Sequence, residues 1–159
     1  DGPDSEKMFE LGIRFGKALQ MINILRDIPE DLSFGRCYIP LKRLKEVGLN
    51  PIELRDVSNH EKFNPIYQSL LDITQGHLDA AEQYILMLPG TQIRLKIACL
   101  LPVLIGQKTV NLLRTSNILD SSERVKVPRK IVKRLMIRSI ISAIIPGGTK
   151  RLLKKNRSK

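Results

Sequence analysis

The stretch Gly16-Lys17-Ala18-Leu19-Gln20-Met21-Ile22-Asn23-Ile24-Leu25-Arg26-Asp27-Ile28-Pro29-Glu30-Asp31 decides the fold, because it sets acids and amides at helical spacing in a run that otherwise reads as buried. At 3.6 residues per turn, Gln20, Asn23, Asp27 and Asp31 fall within about 80° of one another, and each four-residue step rises about 6 Å. Core packing does not require such a face. A hard divalent cation does, since magnesium takes oxygen ligands, binds through one or two carboxylates and shares its shell with water and phosphates. For an arbitrary acid pair the ordinary reading is a solvated helix face. Here Ile22, Ile24 and Leu25 flank the row and Arg26 stands beside it, so a metal or a basic partner is expected.

Upstream, Asp4 or Ser5 can cap the same helix, which continues through Met8, Leu11, Phe15, Leu19, Ile22 and Leu25. Pro29 lacks an amide and disfavours helical geometry at Ile28, so the helix is expected to kink or restart between Asp27 and Asp31. Residues 32–40 read as a loop pivoting on Gly35. A short helix from Leu41 to Val47 should stop at Gly48. Asn50-Pro51 should open another short helix to about Asp56, and Asn64-Pro65 a long one with an apolar stripe of Ile66, Leu70, Ile73, His77, Ala81, Tyr84 and Leu88. On it, Asp79 and Glu82 read as a solvent-facing charged surface. His77, and His60 in the preceding loop, read as structural.

Beyond a turn at Leu88-Pro89-Gly90-Thr91, a helix with Pro102 near its middle runs to about Asn117, and Thr115 to Lys126 reads as a hinge or surface connection. From Pro128 a last helix places Val132, Met136, Ile140 and Ile144 on one side, with Arg134, Arg138 and Ser142 on the other, until Pro146-Gly147-Gly148 stops it. No segment alternates as a strand would, so the class is all-α.

Residues 124–159 hold 13 Lys or Arg and no acid, leaving 14 bases against 16 acids in the preceding 123 residues. A near-neutral body with a basic end favours contact with an anionic membrane; without an aromatic residue in that end, nucleic acid is the weaker partner. The longest uncharged apolar runs, Ile97–Gln107 and Ser139–Thr149, are 11 residues each and too short to span a bilayer. Cys37 and Cys99 suggest neither a disulfide framework nor a zinc site.

The pattern Gly16-x-x-x-Gln20-x-x-Asn23-Ile24-x-Arg26-Asp27-x-x-Glu30-Asp31, followed by Arg36-x-Tyr38-x-Pro40, closely resembles the second aspartate-rich signature of the squalene and phytoene synthase family. Arg94-Leu95-x-x-Ala98-Cys99-Leu100-Leu101-Pro102-x-x-x-Gly106-x-x-Thr109 resembles, less diagnostically, the C-terminal part of bacterial members. The resemblance implies an all-α isoprenoid synthase fold that joins two prenyl diphosphates head to head. It implies Asn23, Asp27 and Asp31 as ligands of Mg2+, with Mn2+ as the alternative ion, and Gln20 with Asn23 completing the metal and diphosphate shell. Arg26 would neutralise the departing diphosphate, or alternatively pair with Glu30 one turn on. Arg36 and Tyr38 would flank the site.

Pro29 departs from the small or apolar residue usual in the family. More consequentially, the family's other aspartate-rich helix has no counterpart here, since Asp1-Gly2-Pro3-Asp4 lacks a helical setting. The expectation is therefore the C-terminal half of the enzyme, with residues 1–127 as the family-like domain and 128–159 as a basic terminal helix and tail. The missing N-terminal half would be its partner, and the isolated chain would be inactive. The Cys99-to-Gly106 stretch favours squalene-type chemistry on farnesyl diphosphate. NADPH for a reductive step stays an open assignment, since no dinucleotide fingerprint is present and the family does not rely on one. The expected location is the cytoplasm, with peripheral contact at the membrane inner face through 129–159. The alternative is a non-catalytic assembly or scaffold protein built on the same fold.

Overall fold

A computed structural model of the chain describes residues 5–122 and 124–157; Asp4, one of the two expected caps, lies outside them. Among the described residues there is helix and connection only, with no strand. The order is α1 (Ser5–Arg26), α2 (Ile28–Ser33), α3 (Leu41–Glu46), two 3-10 turns (Glu53–Arg55 and Val57–Asn59), α4 (His60–Met87), α5 (Ile93–Thr115), α6 (Arg129–Ile144) and α7 (Gly148–Arg157).

Antiparallel helices α1 and α4 form one layer: the Tyr67 hydroxyl donates to the Leu25 carbonyl at 3.1 Å, and the Phe15 and Tyr84 rings meet edge-on at 5.8 Å. The central element is α5, which packs on α1, α4, α6 and α7. Gly106 permits the closest approach, because a Cβ there would stand 2.7 Å from Ile22 Cδ1 and 3.3 Å from Leu78 Cδ2. Seating Ile22 in that crossing turns Gln20 and Asn23 outward. α5 has 23 residues and, by length and composition, is apolar enough to cross a membrane, contrary to the count of uncharged runs. It packs on four other helices, with Ile93, Leu95 and Leu112 left exposed.

The long helix α4 starts at His60, a turn before the expected Asn64-Pro65, and carries Pro65 inside it. Fully buried Phe63, 5.7 Å from the Tyr67 ring, rewards the extra turn despite the amide that Pro65 lacks. Its buried line is Phe63, Tyr67, Leu71, Thr74, Leu78, Ala81 and Ile85; Ile73, expected inside, is 49% exposed. At Asn50 the side chain accepts from the Ile52 and Glu53 amides, but the segment makes only a 3-10 turn.

The charged-surface reading of Glu82 is overturned, while the Asp79 side chain remains 40% exposed. Glu82 is 8% exposed and accepts from Gln107 Nε2 and from Arg157, whose Nε lies 2.9 Å from Oε1 and whose terminal nitrogen lies 2.7 Å from Oε2. Arg157 also pairs with Asp79 at 2.6 Å, and Asn156 donates to Gln107 Oε1 at 2.6 Å and to the Leu104 carbonyl at 3.1 Å. This network clasps the end of α7 to α4 and α5, so residues 129–157 form a helix pair held to the bundle through Asn156 and Arg157.

Helix α6 is also turned over. Its buried positions are Leu135, Ser139 and Ser142, while Met136, Ile140 and Ile144 face outward. At Ser142 the start of α7 comes to backbone distance: a Cβ on Gly148 would lie 2.6 Å from the Ser142 carbonyl oxygen. Gly147, at φ +70°, makes the turn.

Candidate functional site

The site is built on the join of α1 and α2. The helix breaks at Asp27 itself (φ −98°, ψ 15°) and restarts as α2 at Ile28, within the expected stretch, and Pro29 falls in the first turn of α2, where a missing amide is well tolerated. Across the break the register survives: the Asp27 amide donates to the Asn23 carbonyl at 2.9 Å and the Asp31 amide to the Asp27 carbonyl at 2.8 Å. Asn23, Asp27 and Asp31 are therefore three steps of one backbone stair. Ile22, Leu25, Ile28 and Leu32 are buried behind it and hold it to the core.

Gly35, at φ +72°, closes α2 as a Schellman turn, its amide donating to the Leu32 carbonyl at 3.0 Å and the Arg36 amide to the Asp31 carbonyl at 2.8 Å. The turn brings the chain back beside Asp31. Gln20, Asn23, Asp27, Asp31, Arg36 and Tyr38 consequently line one open groove of about 380 Å³, together with Arg124. The groove faces solvent rather than a buried interior, with Gln20 and Asn23 exposed and the two aspartates half-buried.

Arg26 lies on the flank and is absent from that groove; it lines a neighbouring cavity of about 280 Å³ with Asp27, Pro29 and Arg124. It forms a fork onto Asp27, with Nε 2.9 Å from Oδ1 and a terminal nitrogen 2.7 Å from Oδ2. The alternative pairing of Arg26 with Glu30 does not form. Glu30 pairs instead with Arg124 at 3.0 Å, and the same guanidinium reaches Asp27 at 3.5 Å. The Arg26 hydrogen bonds hold the Asp27 carboxyl below the usual carboxylate range, against the opposing effect of partial burial, and Asp27 in turn raises Arg26. Asp27 is thus a carboxylate at neutral pH. Among the described residues, the side chains of Asp31, Asn23 and Gln20 make no hydrogen bond or ion pair and stand open to the groove.

Two carboxylates and an amide oxygen on one stair fit part of a magnesium shell whose other ligands are phosphate and water. Among the described residues no three acids, histidines or cysteines converge into a closed metal cage. Sequence reasoning missed Arg124, which sits in the stretch read as a patternless hinge. No local periodicity marks it, because its role comes from tertiary placement beside Glu30. His77, read as structural, accepts from Arg14 Nε at 3.3 Å, and both cysteines are free.

An all-helical bundle displaying an acid-and-amide stair with flanking arginines is the architecture of an isoprenoid-type synthase. The squalene/phytoene synthase family model matches residues 2–130, and the chain belongs to that family. It is 35% identical over 75 residues to presqualene diphosphate synthase of Zymomonas mobilis, covering 47% of this chain and 25% of that protein. It is 35% identical over 79 residues to 15-cis-phytoene synthase of Enterobacter agglomerans (50% and 26%). It is 38% identical over 85 residues to 4,4'-diapophytoene synthase of Staphylococcus haemolyticus (48% and 30%). The chain thus spans only about a quarter to a third of the length of these relatives.

Proposed function

We propose that this chain supplies one jaw of a prenyl transferase site that condenses two prenyl diphosphates head to head, with farnesyl diphosphate as the favoured substrate. The supporting observation is the gathering of Gln20, Asn23, Asp27, Asp31, Arg36 and Tyr38 into one groove. Asn23, Asp27 and Asp31 would hold Mg2+, which when bound supplies charge stabilisation for a leaving diphosphate. Arg26 and Arg124, which neutralise Asp27 and Glu30 in the structure, carry the charge and fork geometry to bind diphosphate oxygens. Arg36 and Tyr38 border the groove from the Gly35 turn. On the same outward face of α1, Ile13 and Phe9 continue the row in apolar form toward the N-terminal end, suited to a hydrocarbon tail. A facing jaw with further acids would complete the site and exclude water from it.

The test is calorimetric titration of the full-length protein with farnesyl thiodiphosphate, with and without Mg2+. Metal-dependent binding that is lost in Asp31→Asn, with an unchanged circular dichroism spectrum, is the expected result. Metal-independent binding, or binding indifferent to Asp31, refutes the reading. Turnover of farnesyl diphosphate by the 159-residue chain without a partner would refute the single-jaw part. The non-catalytic scaffold reading draws on one observation, that both Asp27 oxygens are satisfied by Arg26. No Mg2+ dependence in the same titration would favour it.

A further inference from the structure

The outward half of α6 contains no neutral polar residue. Its first turns expose Arg129, Lys130, Lys133 and Arg134, and its last turns expose Met136, Ile137, Ile140, Ile141, Ile144 and Ile145 at 42–63% each. These six side chains sit at i, i+1, i+4, i+5, i+8 and i+9, which is a continuous stripe along the last three turns. Scattered exposed aliphatics are ordinary, but a contiguous stripe of six on one helix marks a contact surface. The inward side is already committed, since Leu135, Ser139 and Ser142 are buried and Gly148 lies against the Ser142 backbone. The stripe therefore cannot be buried by rolling the helix without breaking the α6–α7 crossing.

We infer that this face docks on an anionic lipid surface, with the isoleucines entering the acyl boundary and the basic turns lying among headgroups. Charge decides among the occupants. From residue 124 to the end the sequence has no acid, and the exposed cations of α7, Lys150 and Arg151 among them, add to those of α6. A second copy would present the same acid-free, cationic face and so supply no counter-charge, whereas anionic headgroups complement it. The family match ends at residue 130, so the face lies outside the part shared with the family, while the open groove on α1 and α2 lies within it. A helix with a strongly basic end and an aliphatic end on the same side is suited to lie in the interface with its C-terminal turns deeper. This surface is separate from the α1–α2 groove and does not depend on the proposed chemistry.

The experiment is co-flotation of the full-length protein with vesicles of phosphatidylcholine alone or with phosphatidylglycerol added, at low and high salt. Binding should require the anionic lipid and weaken with salt. Lys133→Gln with Arg134→Gln should lower the partition coefficient by about fivefold per residue. Ile137→Ser with Ile141→Ser should abolish flotation; both side chains are exposed, so the melting temperature should be unchanged. Equal binding to neutral vesicles, no binding to either, or flotation indifferent to both pairs of substitutions would overturn the inference. So would a dimer in solution that the isoleucine substitutions convert to monomer while vesicles are ignored, which would assign the stripe to a second copy.

Discussion

Pro29 has no amide, so the Leu25 carbonyl four residues earlier has no intrahelical donor at the point where α1 gives way to α2. Tyr67, fully buried on α4, supplies one, its hydroxyl standing 3.1 Å from the Leu25 oxygen. Burial pushes the Tyr67 phenol well above its ordinary value, so it remains a donor throughout the accessible pH range. Tyr67→Phe removes only that oxygen and leaves a buried carbonyl without a partner. Such a loss costs about 1–3 kcal/mol, and the long bond suggests about 1.5, which for a chain of this size lowers Tm by roughly 3–6 °C. Pro29→Ala restores an amide at position 29 that can satisfy the carbonyl from within the helix. In that background Tyr67→Phe should cost only about 0.5 kcal/mol, a coupling of about 1 kcal/mol between residues on different helices. Urea denaturation of the four proteins, followed by circular dichroism, measures it. An equal cost of Tyr67→Phe in both backgrounds would refute the account of the break.

Two further perturbations test the clasp and the stair. Glu82→Ala should destabilise by about 2–3 kcal/mol, below the roughly 3–5 typical of a broken buried pair because Arg157 is 42% exposed and can regain water; a loss under about 0.5 kcal/mol by urea denaturation would return Glu82 to the solvated face expected from sequence. Asp27 has a folded-state pKa held below its unfolded one, chiefly by Arg26, so its stabilisation is present above an unfolded value near 4 and is lost as pH falls through the folded value. Asp27→Asn should therefore destabilise at pH 7, and the gap to the unsubstituted protein should narrow as pH drops below about 4; a gap that is constant or widens on acidification would contradict the ion pair.

What could be read before the structure was the part carried by local spacing. The helical class, the stair of Asn23, Asp27 and Asp31, the loop pivot at Gly35, the stops at Gly48 and Gly147, and the turn at Pro89-Gly90 all depend on residues within one or two turns of each other. Contacts that join distant segments were not legible. Arg124 beside Glu30 and Arg157 on Glu82 pair residues 94 and 75 positions apart, and no periodicity distinguishes a lysine or arginine that will find a partner from one that will not. The start of α4 was misplaced for a related reason. Propensity favours Asn64-Pro65 as an opening, and only the burial of Phe63 against Tyr67 overrides it.

Helix α6 shows where pattern reading has a definite limit. Periodicity groups Val132, Met136, Ile140 and Ile144 on one side but contains no information about which side meets the protein. A second helix at backbone distance needs small residues, and Ser142 is where the start of α7 approaches; buried Ser139 donates to the Leu135 carbonyl at 2.8 Å and Ser142 to the Ser139 carbonyl at 3.1 Å, so their hydroxyls are satisfied inside the helix. Burying two self-satisfied serines thus carries little polar penalty, and the close crossing gains dispersion along the backbone. The isoleucines are left outside by that choice. An apolar stripe left exposed after a helix has packed by its small face marks a contact surface, and the cations beside it favour an anionic one.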